Sequence, residues 1–341
     1  MIGSIFGKAA LRLHLLGLMP ALTLVLALTW GLTLTWAPAQ AQLQEPFVRI
    51  IVPLATGGPA DFIARQLAQQ LQTRLKTKVI VENRPGANGA TGAASVAASE
   101  PDGRTLLFAT SGLLTITPNL DNKLAFNPDN DLTPIARVVV NGTALVVKAF
   151  APHSNIAEFI AFARSKKEPP TLGSAGVGNI THLYIELLKS VTKTDMLHVP
   201  YRGVGPAMVD VIAGTIDGQF ADLPAALPQI KGGTLKALGL VGESRSKAAP
   251  DIPTIAEQGY PGVTGASWFG LFAPAKMEAK LADETAAKVA DALGDPALMS
   301  SLQSVGSEPS FLPLKDFAAL IARDRSRWAA VIRERNIKLD N

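Results

Sequence analysis

The sequence predicts an α/β protein of two lobes with a ligand cleft between them. Three observations carry this. Short apolar runs give way to glycine-rich loops and then to helical periodicity, first over residues 48–75 and again over residues 171–191. Several strand candidates end in small, polar or glycine residues, the positions beyond which ligands sit in open α/β sheets. Two apolar stretches, residues 138–147 and 235–241, have the length to cross between lobes. The 341 residues allow two domains with ample core. The expected division gives residues 42–142 and 238–341 to the first lobe and residues 143–237 to the second.

The first unit begins with Ile50, Ile51 and Val52, a β-branched run of the kind found in buried strands. Pro53 and Pro59 bracket the loop Leu54, Ala55, Thr56, Gly57 and Gly58. Phe62, Ile63, Leu67, Leu71 and Leu75 then recur at helical spacing. Asp61 falls in the first turn, at the positive end of the helix dipole. The loop holds no Lys or Arg, so a small anion there would be held by backbone N–H groups and the helix start. The same pattern also serves as a plain tight βα turn. Val79, Ile80 and Val81 form a second strand candidate, which runs into a loop containing Asn88. Its glycines, Gly86, Gly89 and Gly92, are spaced G-x-x-G-x-x-G and not G-x-G-x-x-G, so no nucleotide cofactor is expected. A third strand over residues 105–109 ends at Thr110, Ser111 and Gly112.

The second half repeats the plan. Residues 156–164 read as a helix, with Ile156, Phe159, Ile160 and Ala163 on one side. A short strand at Thr171 leads into Ser174, Ala175, Gly176 and Gly178, and Asn179 is placed to cap the helix that follows. That helix carries Ile180, Leu183, Leu187, Leu188 and Val191 in register, with Thr181 and His182 in its first turn. A strand over residues 196–200 ends at Tyr201 and Arg202. Pro206 reads as the first residue of a helix. Residues 215–220 form a strand that runs into Asp222, and residues 317–335 a long terminal helix with Leu320, Ile321, Trp328, Val331 and Ile332.

Composition narrows the function. There is no Cys, which excludes disulfides, thiolate chemistry and zinc–sulfur sites. Lys and Arg number 32 against 28 Asp and Glu, without a polybasic run, so nucleic acid is not an expected partner. At the N-terminus, Lys8 and Arg12 precede an apolar segment, and Ala39-Gln40-Ala41 has the small-x-small form of a signal-peptidase site. Residues 1–41 are therefore expected to be a signal peptide cleaved after Ala41, with the mature chain in the periplasm; an uncleaved anchor is the alternative. Ser174, His182 and Asp222 supply the residue types of a hydrolase triad, but Ser174 sits in G-S-A-G and not in a G-x-S-x-G elbow. His182 and His198 lack a metal-pair spacing such as H-E-x-x-H, so neither catalysis nor a metal is expected.

Longer phrases go further. VENRPG and VPYRG, together with IIVPLATGGPADFIARQLA, GSAGVGNITHLYIELLK and PDIPTIAEQGYPGV, resemble the periplasmic solute-binding proteins of the tripartite tricarboxylate transporter type, the Bug family. The resemblance covers nearly all of the mature chain. It implies the type II periplasmic binding fold, no catalysis and a small carboxylate between the lobes: a di- or tricarboxylate, an aromatic acid or an amino acid. It implies that main-chain groups of Leu54–Gly58 hold the carboxylate, with the loop from residue 173 to His182, Tyr201-Arg202 and Asp222 contributing from the second lobe. Leu54 stands where the family commonly has an aromatic residue, so ligand specificity does not carry over. A monomer working with a tripartite-type membrane permease is the expected assembly, and a sensor kinase is the alternative partner.

Overall fold

The computed structural model describes residues 47–120 and 123–338. The expected signal peptide and its cleavage site lie outside the described residues. In chain order the elements are β1 (Phe47–Val52), α1 (Pro59–Leu75), β2 (Lys78–Asn83), α2 (Ala90–Ala97), β3 (Thr105–Thr110), α3 (Ser111–Thr115), α4 (Thr117–Leu120), β4 (Leu132–Asn141), β5 (Thr143–Lys148), α5 (Ile156–Ser165) and β6 (Thr171–Ser174). They continue with α6 (Ile180–Thr192), β7 (Leu197–Pro200), α7 (Val204–Ala213), β8 (Gly218–Asp222), α8 (Leu223–Lys231), β9 (Leu235–Val241), β10 (Ser267–Pro274), α9 (Ala279–Leu293), α10 (Pro296–Ser304), β11 (Ser307–Pro313) and α11 (Leu314–Arg335).

The strands form two sheets, ordered β11-β4-β10-β3-β1-β2 and β7-β6-β8-β5-β9. Both follow one plan. β1 pairs in parallel with β2 and β3, and β10 runs antiparallel beside β3. In the second sheet β6 pairs in parallel with β7 and β8, and β5 runs antiparallel beside β8. Helices cover both faces of each sheet. On one face of the first, Ile50 and Val52 pack with α1 residues Ile63, Leu67 and Leu71. On the other, Ile51 and Leu107 pack with Ala93, Val96 and Phe317. Burial on both faces explains why these strands read as unbroken apolar runs and not as alternating ones.

Three readings need correction. The stretch 138–147 does cross between the sheets, at Gly142 between β4 and β5, but Leu235–Val241 does not. It is the edge strand β9 of the second sheet, paired antiparallel to β5, so the expected boundary at 237/238 falls inside a strand. The return passes between Val241 and Ser267, where Ile255 and Val263 pack into the second sheet's core. Second, α7 begins at Val204, not at Pro206. Pro206 is tolerated in the first turn because the N–H it lacks would have no intrahelical acceptor there. Third, Val191 on α6 is 36% exposed and outside the buried stripe.

The terminal helix belongs to both halves. Phe317, Leu320 and Ile321 sit in the first sheet's core, whereas Trp328, Val331 and Ile332 sit in the second sheet's core with Tyr184 and Phe220. Residues 238–341 are thus divided between the sheets. Trp328 is 2% exposed and stacks edge-on to Tyr184, so truncating it opens a large void in the second core. Trp328→Ala is expected to cost about 3–5 kcal/mol, read as a lower midpoint in urea unfolding. A loss under about 1 kcal/mol would mean that the distal half of α11 does not anchor the second sheet.

Candidate functional site

Loops at the carboxyl ends of the parallel strands bring most of the expected residues to one region. Asn88, in the loop after β2, donates through Nδ2 to the Val177 carbonyl in the loop after β6, at 3.1 Å. A β-carbon on Gly112, in α3, would lie 3.6 Å from the Ile180 backbone nitrogen, the first residue of α6. The two sheets therefore meet through loops 84–89 and 110–112 on one side and 174–180 on the other.

The first loop is held from within. Asp61, 4% exposed, accepts from the Gly57 amide at 3.0 Å and from Arg65 Nε at 3.1 Å. Burial alone would raise its pKa, but the bonds from Arg65 and Gly57 outweigh that and hold Asp61 below the usual carboxylate range. Arg65 also donates to Asn83 Oδ1, and Asn83 donates to the Leu54 carbonyl, so two turns of chain clamp the loop. Asp61 thus serves as the loop's anchor, and Gly57 spends its amide on Asp61. Gly57 has φ +84° and no atom within 4 Å of where a β-carbon would stand. Ala55, Thr56 and Gly57 are exposed, and Leu54 and Gly58 half-buried.

The second loop is held by uncharged groups. Thr181 Oγ1 accepts from the Ala175 amide, Ser174 Oγ from the Gly176 amide, and His182 Nδ1 from the Gly178 amide, at 2.9, 3.1 and 3.2 Å. Asn179 caps α6 by accepting from Thr181 N. His182 is pulled down to about 4 by burial and then by Lys189, which keeps it the neutral acceptor this bond requires. Thr110 caps α3 by accepting from Leu113 N. The Ser111 hydroxyl is buried without a hydrogen-bond partner among the described residues. Arg202 is exposed.

Asp222 lies where the strands cross between sheets. Thr143 at the start of β5 donates to Oδ1 at 2.7 Å, and Ser267 at the start of β10 donates to Oδ2 at 3.3 Å. It is therefore shared by both sheets. Burial pushes it up to about 6, against the opposing pull of these two hydroxyls.

The hydrolase constellation is not assembled. Ser174 is fully buried and pairs with His198 Nε2 at 2.6 Å, while His182 and Asp222 are engaged elsewhere. The His182 and His198 rings stack at 3.7 Å, and no group of three or more metal-ligating side chains occurs among the described residues. Spacing did not reveal the pairing of His198 with Ser174 or of Ser267 with Asp222, because both cross between elements distant in sequence. Arg65 was accessible: it stands four residues after Asp61, the spacing that pairs charges on a helix.

Comparison with known proteins decides the family. The TctC profile, described as tripartite tricarboxylate transporter family receptor, matches residues 63–337. The chain belongs to this family. Protein BugT of Bordetella pertussis is 31% identical over 293 residues, covering 86% of this chain and 90% of that protein. Among solved structures, R. palustris Rpa4515 with adipate has a TM-score of 0.81 at 28% identity, covering 85% of this chain and 97% of that one. MatC (Rpa3494) from Rhodopseudomonas palustris with bound malate has a TM-score of 0.76 at 30% identity, covering 84% and 98%. The TctC family member described here is therefore a periplasmic solute-binding receptor and not an enzyme, and the two sheets are the lobes of that fold.

Asp222 gives the fold a defined pH response. Its native pKa, about 6, stands above its unfolded value near 3.9, so the stability it contributes is fully present below about pH 3.9 and is lost as pH rises through 6. Lowering pH from 7 to 4 is expected to return on the order of 2 kcal/mol through this group. Asp222→Asn removes that gain. Urea unfolding at the two pH values checks it, and an unchanged pH difference in the variant would show that the carboxylate is not desolvated.

Proposed function

We propose that this receptor captures a small carboxylate between its lobes and delivers it to a membrane permease of the tripartite tricarboxylate type. The observation that carries the reading is the meeting of the two sheets' loops at Asn88–Val177 and Gly112–Ile180, where the starts of α3 and α6 approach each other. The first turn of a helix has backbone N–H groups without intrahelical partners and a positive dipole end, which together favour an anion. Residues 53–61 and 173–182 contain no Lys or Arg, so on this reading fixed dipoles balance most of the charge, with Arg202 the one cation among the expected site residues. Relatives with adipate and malate bound support a carboxylate.

On this reading Leu54–Gly58, Asn88, Thr110 and Ser111 face the ligand from the first lobe, and Ser174, Ala175, Gly178, Asn179, Thr181, His182 and Arg202 support it from the second. Residues 143–241 move as the second lobe, with Asp222 near the pivot. The chain carries both halves of its cleft and acts as a monomer, exported by residues 1–41 with cleavage after Ala41.

A ligand that binds only the native state adds about 2.7 kcal/mol at a hundredfold excess over its Kd, a rise in melting temperature of roughly 4–5 °C. At least one member of a panel of mono-, di- and tricarboxylates, aromatic acids and amino acids is expected to produce that rise. Sugars shifting the protein while every carboxylate leaves it unmoved would end the carboxylate reading.

Gly57→Val puts a branched side chain into open space in front of the loop and forces it into a left-handed backbone conformation. Calorimetry with the panel's best ligand is expected to show at least a tenfold weaker Kd for a folded variant. Near-normal affinity would remove this loop from the site.

A further inference from the structure

A cavity of about 250 Å³ lies at the open edge of the second sheet, between α6, β7 and the residues that follow α11. It includes no residue of the first loop, 54–58. Lys189, Arg335 and Lys338 contribute positive charge to its wall. Among the described residues Glu186 is the one acidic residue in that wall, and Lys189 already holds it at 3.0 Å. Among the described residues, three cations against one anion leave two positive charges at this small volume. The remaining wall is Val177, Ile337 and the stacked pair His182 and His198, with ring centroids 3.7 Å apart and planes 10° from parallel. His182 is neutral at pH 7, so it adds no charge of its own.

This differs from the inter-lobe region in the way it meets an anion. There the donors are backbone amides and helix starts. Here they are side-chain cations, of which the Arg335 guanidinium offers the planar fork that fits an oxyanion in bidentate fashion. Two uncompensated cations at one small cavity select for charge. A monovalent ion leaves one of them unmatched, whereas a divalent or trivalent oxyanion matches both.

We propose that this cavity is a second anion site, sharing His182 and Val177 with the inter-lobe region but built on side-chain cations, for a small oxyanion carrying two or more negative charges, of the polycarboxylate or phosphate class. Val177 lines it as well, and the Val177 carbonyl is the acceptor of the inter-lobe bond from Asn88, so the site adjoins the closing loop.

The histidine ring resonances of the mature protein report on the site directly. Sodium citrate and inorganic phosphate are titrated separately, with chloride holding ionic strength constant. Saturable shifts of His182 and His198 are expected with at least one of them, and none of His153, which is buried against Phe159 and Phe162 on α5. Arg335→Gln combined with Lys338→Gln is expected to weaken the midpoint at least tenfold, while the carboxylate that stabilises the parent fold stabilises the variant equally. Gly57→Val is expected to leave the titration unchanged. Shifts absent at constant ionic strength, or an unaltered midpoint in the double variant, would overturn the proposal. So would loss of the titration in Gly57→Val, which would make the signals an echo of the cleft.

Discussion

The two sheets depend on one helix. α11 runs from the core of the first, where Phe317 meets Trp268 at a centroid distance of 5.0 Å, into the core of the second, where Trp328 meets Tyr184 at 6.2 Å. With the chain also crossing at Gly142 and returning to β10 at Ser267, the lobes are tied at three places. Asp222 stands among these ties with one hydroxyl partner from each sheet. This crossing is therefore also the place where a carboxyl is partly withdrawn from water, with the energetic cost that implies.

The loops after β1 and β6 solve the same problem with different chemistry. Both must hold a glycine-rich backbone in one conformation at a strand end, exposed at residues 55–57 in the first and buried or half-buried in the second. The first uses an ion pair that is buried on its acidic side, Asp61 with Arg65, and a clamp through Asn83. The second uses Ser174, Thr181 and His182, all buried and uncharged at neutral pH. In each case the loop's own side chains accept from its amides, which fixes the backbone before a ligand arrives. Preorganisation of this kind reduces the ordering cost of binding.

The order of strands, loops and helices was legible because each has a local signal. Ile50–Val52 is β-branched, Leu67 and Leu71 repeat at helical spacing, and Asn179 is a cap residue in front of an apolar helix. The α/β class and the N-cap followed from those signals. Which sheet a strand joins did not, and β9 shows why. Leu235–Val241 is apolar apart from Lys236, and that composition suits a crossing and an edge strand equally; pairing with β5 decides it. The anchoring partners were hidden for the same reason. Ser174 meets His198, and Asp222 meets Ser267, across 24 and 45 residues of chain. The local anchor of Asp61 on Arg65 was the exception, readable from an interval of four.

Neutrality of the loops has a consequence for how a solute arrives. The Asp61–Arg65 pair cancels itself, and residues 173–182 bring no formal charge at pH 7, so the field they project beyond contact distance is that of dipoles, which fades faster than that of a charge. On the proposed reading, such a mouth grips an anion once it is inside and pulls on it little from afar. Encounter is then left to diffusion and to concentration, and discrimination falls on the departure step: solutes enter at similar rates, and those that match the fixed amides stay longer.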